Sequence, residues 1–240
     1  MELIVLLGAG LLGGVVNALA GGATLLTFPA LMAVGLPPVV ANASNAVALS
    51  PSHLAAAVAD RDSRPAADRR LRGEVAVAVA GGAAGSLLLL ALPARQFQAA
   101  VPVLVAAGTV LFAAAPRLRF RGEAGRLSLW VACVYGGFFG AGLGVILSAL
   151  LTMGAGTDAD ARRVNARKNV LASAAGLTAV VVFAGTGIVA WPETAAMLAG
   201  ALAGGWLGGR AAGVMRAGAV RAAVIACGSV LTVVYALRYW

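Results

Sequence analysis

The sequence predicts an all-α polytopic membrane protein built from two homologous repeats in inverted topology, with glycine-broken or re-entrant helices opening each half. Three observations lead there. The chain of 240 residues is 61% hydrophobic and only 11% charged, where a soluble domain carries about a quarter charged residues. It repeats itself, without a gap, at a spacing of 123 residues. Its basic residues also segregate to one side of a membrane, but only in one of two threadings.

The repeat is carried by small and amide residues. Gly13, Gly14, Ala18 and Gly21 recur as Gly136, Gly137, Ala141 and Gly144. Asn42, Ala43, Val47 and Ser50 recur as Asn165, Ala166, Val170 and Ser173. Ala78, Ala80, Gly81, Gly82 and Gly85 recur as Ala201, Ala203, Gly204, Gly205 and Gly208. Two hydrophobic halves with such residues in register mark a transporter whose substrate binds at the repeat interface. The halves divide as 1–116 and 117–240, within a single integral membrane domain.

A spanning helix needs about 20 apolar residues. Segments 38–59, 74–92, 97–115, 165–187, 192–213 and 219–238 meet that length between charges or prolines, such as Asp60-Arg61, Pro93, Pro116 and Trp191-Pro192. The remaining apolar regions, 2–37 and 127–157, hold equivalent places in the two halves and are rich in glycine. Within the first, 2–20 is long enough to cross and 23–35 is short. No basic residue precedes the apolar start MELIVLLGAG, so it is read as retained and not as a secretory signal.

If each glycine-rich region crosses once, the basic residues divide ten to eight between the two sides. If each enters and returns to the same side, the loops at 60–73, 116–126, 158–168 and 210–221 share one face. That face then holds 16 of the 18, leaving Arg95 and Arg238 opposite. The positive-inside tendency selects the second threading. It runs 38–59 and its partner 165–187 in opposite directions, so the halves are expected to be inverted about an axis in the membrane plane.

The formal net charge of +9 is explained by this topology, and nucleic acid is excluded because no basic stretch is interleaved with aromatics. Cys133 and Cys227 lie in apolar segments without metal or redox spacing. One histidine cannot make a zinc cluster, and no cofactor is called for. Seventeen arginines to one lysine, with abundant alanine, hint at a GC-rich bacterial genome.

Candidate binding residues fall in four places. Gly21 and Gly22 interrupt the first apolar region, and a break there would turn the amides of Ala23 and Thr24 toward a cavity, where a helix N-terminus favours an anion. Gly142 and Gly144 interrupt the second region. Asn42, Ser44 and Asn45 open one spanning segment, and Asn165, Arg167, Lys168 and Asn169 open its partner. Amides inside a membrane must find a partner or a polar cavity. Lys168 stands where the other half has the neutral Asn45, so an anion between the halves could take amide donors from one and charge from the other. The competing readings are tight helix crossing for the glycines, helix capping for the asparagines, and surface anchoring for the two cations. For Gly81, Gly82, Gly85, Gly204, Gly205 and Gly208, tight crossing is preferred. His53, following Ser50-Pro51-Ser52, is either a proton carrier or a structural histidine beside a proline kink.

The run GGVVNALAGGATLLTFPALMAVGLPPVVANASNAVAL, then YGGFFGAGLGVILSALLTMG and VNARKNVLASAAGL, closely resembles the TauE/SafE family of sulfite exporter-like membrane proteins over almost the whole chain. Ala23 and Thr152 depart from the pattern, the first where relatives often continue the glycine run, the second where the first half has Pro29. The resemblance implies movement of small sulfur-containing or carboxylated anions, such as sulfite, thiosulfate or sulfoacetate, across the bacterial inner membrane. An inside-negative potential drives anions outward by about 2.3 kcal/mol per charge per 100 mV, so an exporter would need no coupling ion. The expected partners are thus a small anion and the lipid bilayer, with a homodimer left open. The alternatives are a passive anion channel, a non-transporting scaffold, and an intramembrane enzyme pairing His53 with Ser86 or Ser173. The last lacks any G-x-S-x-G turn.

Overall fold

The computed structural model describes residues 1–19, 21–59, 65, 68–114, 125–153, 160–211 and 217–240. These form ten helices: α1 (Glu2–Leu19), α2 (Thr24–Ala33), α3 (Pro38–Ala59), α4 (Arg69–Ala91), α5 (Ala94–Ala114), α6 (Arg126–Phe138), α7 (Leu143–Thr152), α8 (Ala161–Ala184), α9 (Trp191–Ala211) and α10 (Ala217–Tyr239). The expected boundary at 116/117 lies outside the described residues, as do Arg61, Arg64, Arg117, Arg119, Arg121 and Arg216 of the basic loops.

Among the described residues, five helices are long and apolar enough to cross a membrane: α1, α4, α5, α8 and the Arg221–Tyr239 part of α10. The protein is a multi-pass membrane protein whose described residues form helices and no strands. α3 and α9 are as long, at 22 and 21 residues, but α3 hides its polarity: Asn42, Ser44, Asn45, Ser50, Ser52 and His53 are all buried inside the protein. The glycine-rich regions each become two shorter helices, α1–α2 and α6–α7. At 10 residues, α2 and α7 reach only about 15 Å, half a bilayer core.

Helix ends depart from the apolar segments because capping, not hydropathy, sets them. α4 starts five residues before its apolar stretch, where the Asp68 carboxylate accepts from the Leu71 amide at 2.7 Å. α8 starts at Ala161, where Asp160 accepts from the Arg162 amide at 3.0 Å. Each carboxylate satisfies an amide with no intrahelical partner.

The helices associate across the two halves. α1 and α3 pack on α9, and in the corresponding way α6 and α8 pack on α4. α2 sits against α1 and α3, and α7 against α6 and α8. α3 meets α8 and α5 meets α10. Exchanging the halves therefore maps this set of packings onto itself. Within each bundle the crossings are tight: a Cβ on Gly14 would lie 2.2 Å from the Ala201 carbonyl oxygen, and one on Gly137 2.3 Å from that of Gly82. Gly81, Gly82, Gly85, Gly204, Gly205 and Gly208 all sit at such crossings, which is the packing role preferred for them from sequence. Without a hydrophobic drive between helices in lipid, this close approach supplies the association.

Candidate functional site

The breaks are made by glycines in the left-handed region. Gly21 (φ +71°) and Gly22 (φ +113°) separate α1 from α2, and Gly140 (φ +78°) and Gly142 (φ +82°) separate α6 from α7. The two turns meet backbone to backbone, since a Cβ on Gly21 would fall 2.4 Å from Cα of Gly144. These residues are repeat partners, so equivalent points of the two halves touch.

Beside this contact lies a cavity of about 50 Å³, walled by Gly22, Thr24, Asn45, Ser50 and His53 from the first half, and by Gly140, Leu143 and Gly144 from the second, among others. The beginnings of both short helices, Thr24 of α2 and Leu143 of α7, stand at its wall. Their amide ends carry partial positive charge, and together they favour an anion.

The polar side chains are held by a network that ties the short helix α2 to α3. Thr27 donates its hydroxyl to Asn45 Oδ1 at 2.5 Å, and Asn45 Nδ2 donates to Thr24 Oγ1 at 3.3 Å. Asn17, in the last turn of α1, donates to Ser52 Oγ at 3.3 Å and accepts from the Ala23 amide at 3.4 Å. The Ala23 amide, expected at the cavity, is thus engaged by Asn17.

Lys168 is fully buried. Its ammonium donates to the carbonyls of Asn17 (3.2 Å) and Ala18 (3.4 Å), at the end of α1 where carbonyls lack helical partners and the dipole is negative. No carboxylate pairs with it among the described residues. The cation lies one residue behind the cavity wall, because Asn17 both lines the cavity and receives the ammonium. Beside it, Asn169 Oδ1 meets His53 Nδ1 at 3.4 Å across the α3–α8 contact.

Of the residues singled out from sequence, Gly22, Thr24, Asn45, Gly144 and His53 line the cavity, and Gly21, Ala23, Lys168 and Asn169 support it. Others are placed elsewhere. Arg167 forms a two-pronged ion pair with Glu74 at 2.7 and 2.9 Å. Asn42 Nδ2 donates to the Phe138 carbonyl at 2.8 Å, leaving its Oδ1 buried without a partner among the described residues. Ser44 accepts from the Ala190 amide at 3.0 Å, just ahead of α9. Gly142 faces Gly108 and Leu111 on α5, and Asn165 is half-buried outside the cavity wall. Asn17 and Ser50 were missed as site residues. Asn17 carries the same signal used for Asn42, an amide inside an apolar segment. Gly176 admits Ser50, since a Cβ there would come within 2.4 Å of the serine Oγ.

His53 finds an amide and not a serine nucleophile, while Ser86 and Ser173 bond carbonyls of their own helices. No group of three His, Cys, Asp or Glu residues comes together among the described residues.

The sulfite exporter TauE/SafE family model matches residues 6–235. A protein named "Probable membrane transporter protein" from Haemophilus influenzae is 27% identical over 210 residues, covering 84% of this chain and 82% of its own. The "Probable membrane transporter protein YfcA" of Escherichia coli K12 is 28% identical over 204 residues, covering 81% of this chain and 74% of its own. No solved structure gives a significant match.

Proposed function

The chain belongs to the sulfite exporter TauE/SafE family of membrane transporters, and on that premise we propose that it exports small sulfur-containing anions across the bacterial cytoplasmic membrane. Sulfite, thiosulfate and sulfoacetate are the substrates that the chemistry suits. The observation that carries this reading is the buried Lys168, without a carboxylate partner among the described residues, beside a cavity met by the N-termini of α2 and α7. Burying an ammonium costs several kcal/mol. Two carbonyls and a helix end offset part of that, and an anion in the cavity offsets more.

The reading includes inverted repeats rocking around this site in alternating access. The exchange-symmetric packing and the contact of Gly21 with Gly144 support it. A cavity of about 50 Å³ holds one or two waters, so a larger anion needs the walls to part. That favours a carrier that opens and closes over a static pore.

The test is flux of labelled sulfite, thiosulfate and sulfoacetate in proteoliposomes, wild type beside Lys168→Met and Asn45→Ala. Saturable flux in the wild type that Lys168→Met lowers at least about tenfold, equivalent to about 1.4 kcal/mol of lost anion stabilisation, supports the site. Flux indifferent to both substitutions removes the site from this cavity. Absence of flux for every small anion, under either sign of membrane potential, removes transport.

A further inference from the structure

A second cavity, of about 260 Å³, opens where α4, α6, α7 and α8 come together. Arg70, Arg126 and Arg167 surround Glu74 there, over apolar side chains that include Leu129 and Leu150. One carboxylate and three guanidiniums line the cavity. Arg167 grips the carboxylate with two nitrogens, and Arg70 reaches it at 3.3 Å. Among the described residues, two positive charges of the cavity are left uncompensated. Arg126, the first residue of α6, has no acidic partner among the described residues.

A shallow apolar groove starts at the same Arg126 and runs between α4 and α6 past Gly73, Ala76, Ala80, Leu127 and Trp130. Gly73, Ala76 and Ala80 lie at helical spacing on one face of α4, and their small size leaves the furrow. The Arg126 guanidinium reaches over Gly73, its nitrogen 3.4 Å from where a Cβ would stand. Leu127 is 73% exposed and Trp130 38%, on a helix packed against the candidate span α4.

We propose that the cavity and groove together bind one anionic glycerophospholipid. Its phosphate lies against Arg126 with Arg70 and Arg167, and one acyl chain follows the groove past Trp130. A guanidinium fork suits phosphate oxygens, and basic pockets between membrane helices take anionic headgroups. A soluble anion would use the charged cavity and leave the apolar groove empty, whereas a lipid fills both. The site occurs once per chain, because the repeat partners of Arg126, Arg167 and Glu74 are Leu3, Ser44 and Met197. It is separate from the cavity beside Lys168, so it stands or falls independently of the transported anion.

The experiment uses the full chain with Trp191, Trp206 and Trp240 changed to phenylalanine, leaving Trp130 as the reporter. The protein is reconstituted in phosphatidylcholine containing a small fraction of lipid with brominated chains, carried either on phosphatidylglycerol or on phosphatidylcholine. The expected result is about fivefold more effective quenching of Trp130 by the brominated phosphatidylglycerol, the preference that one arginine–headgroup contact gives at a membrane surface. Arg126→Gln should erase the preference and Arg126→Lys should keep part of it. Gly73→Leu, which fills the groove without changing charge, should lower quenching and serves if Arg126→Gln fails to fold. Equal quenching by the two lipids overturns the proposal. So does loss of the preference on adding millimolar inorganic phosphate, which would assign the cavity to a soluble anion.

Discussion

Gly21→Ala probes the contact on which the central cavity depends. The new Cβ would lie 2.4 Å from Cα, 2.9 Å from N and 3.2 Å from C of Gly144, at φ +71°. Two costs add. The left-handed backbone costs an alanine about 1–2 kcal/mol. Forcing a methyl into packed backbone, with no flexible side chain to give way, costs about 1–3 kcal/mol more. Gly35→Ala isolates the first cost, because Gly35 has φ +95° with nothing within 4 Å of its Cβ position. Reversible unfolding in mixed detergent micelles should show a loss of about 2–5 kcal/mol for Gly21→Ala and about 1–2 kcal/mol for Gly35→Ala. Anion flux should fall with the first and survive the second, since only the first displaces the Gly22–Thr24 wall. Equal losses for the two variants would refute the claim that the glycine turns press together.

Two further substitutions test individual bonds. Thr27→Val keeps the shape but strands the buried Asn45 Oδ1, which Thr27 now supplies at 2.5 Å; a loss of about 1–3 kcal/mol is expected in the same unfolding assay. Glu74→Gln breaks the two-pronged pair with Arg167, whose side chains are 16% and 26% exposed. It should cost about 1–2 kcal/mol, between the values for exposed and buried pairs, with the wild-type advantage shrinking in high salt.

The sequence shows where the membrane helices lie because apolarity must match bilayer thickness, and α3 (Pro38–Ala59) occupies the segment expected for it. It shows three of the four breaks expected, since Gly21, Gly22 and Gly142 adopt conformations that other residues avoid, whereas Gly144 lies inside α7 and the second break is made with Gly140 instead. Helix starts at Asp68 and Asp160 were less legible, as capping acts beyond the hydrocarbon. The functions of neighbours in the chain were the hardest to separate. Arg167 and Lys168 are consecutive, but 100° apart around α8. One reaches Glu74, 93 positions away, and the other Asn17, 151 positions away. No local pattern says which faces inward; only the tertiary placement of α4 and α1 decides it.

That placement also divides the contacts into two kinds. Within each bundle, glycines bring backbones together: a Cβ on Gly205 would stand 2.5 Å from the Ser52 carbonyl oxygen, and one on Gly82 2.3 Å from that of Ala175. Between the bundles, beside the Gly21–Gly144 and Gly176–Ser50 contacts and the 2.8 Å bond of Asn42 to Phe138, lie the longer polar contacts of Lys168 with α1 and of His53 with Asn169, at 3.2 to 3.4 Å. Under the proposed rocking, the second kind breaks and re-forms in each cycle while the first holds. Substitutions should then separate by location. Gly205→Ala and Gly82→Ala should each cost about 1–3 kcal/mol of stability from overpacking, with similar losses because the positions are repeat partners. Lys168→Met should leave stability unchanged or raised, as often happens when a buried ion gives way to an apolar side chain, and yet abolish flux. If Lys168→Met instead unfolds the protein as readily as Gly205→Ala, the lysine is a structural bolt, and the division between rigid bundles and a working seam fails.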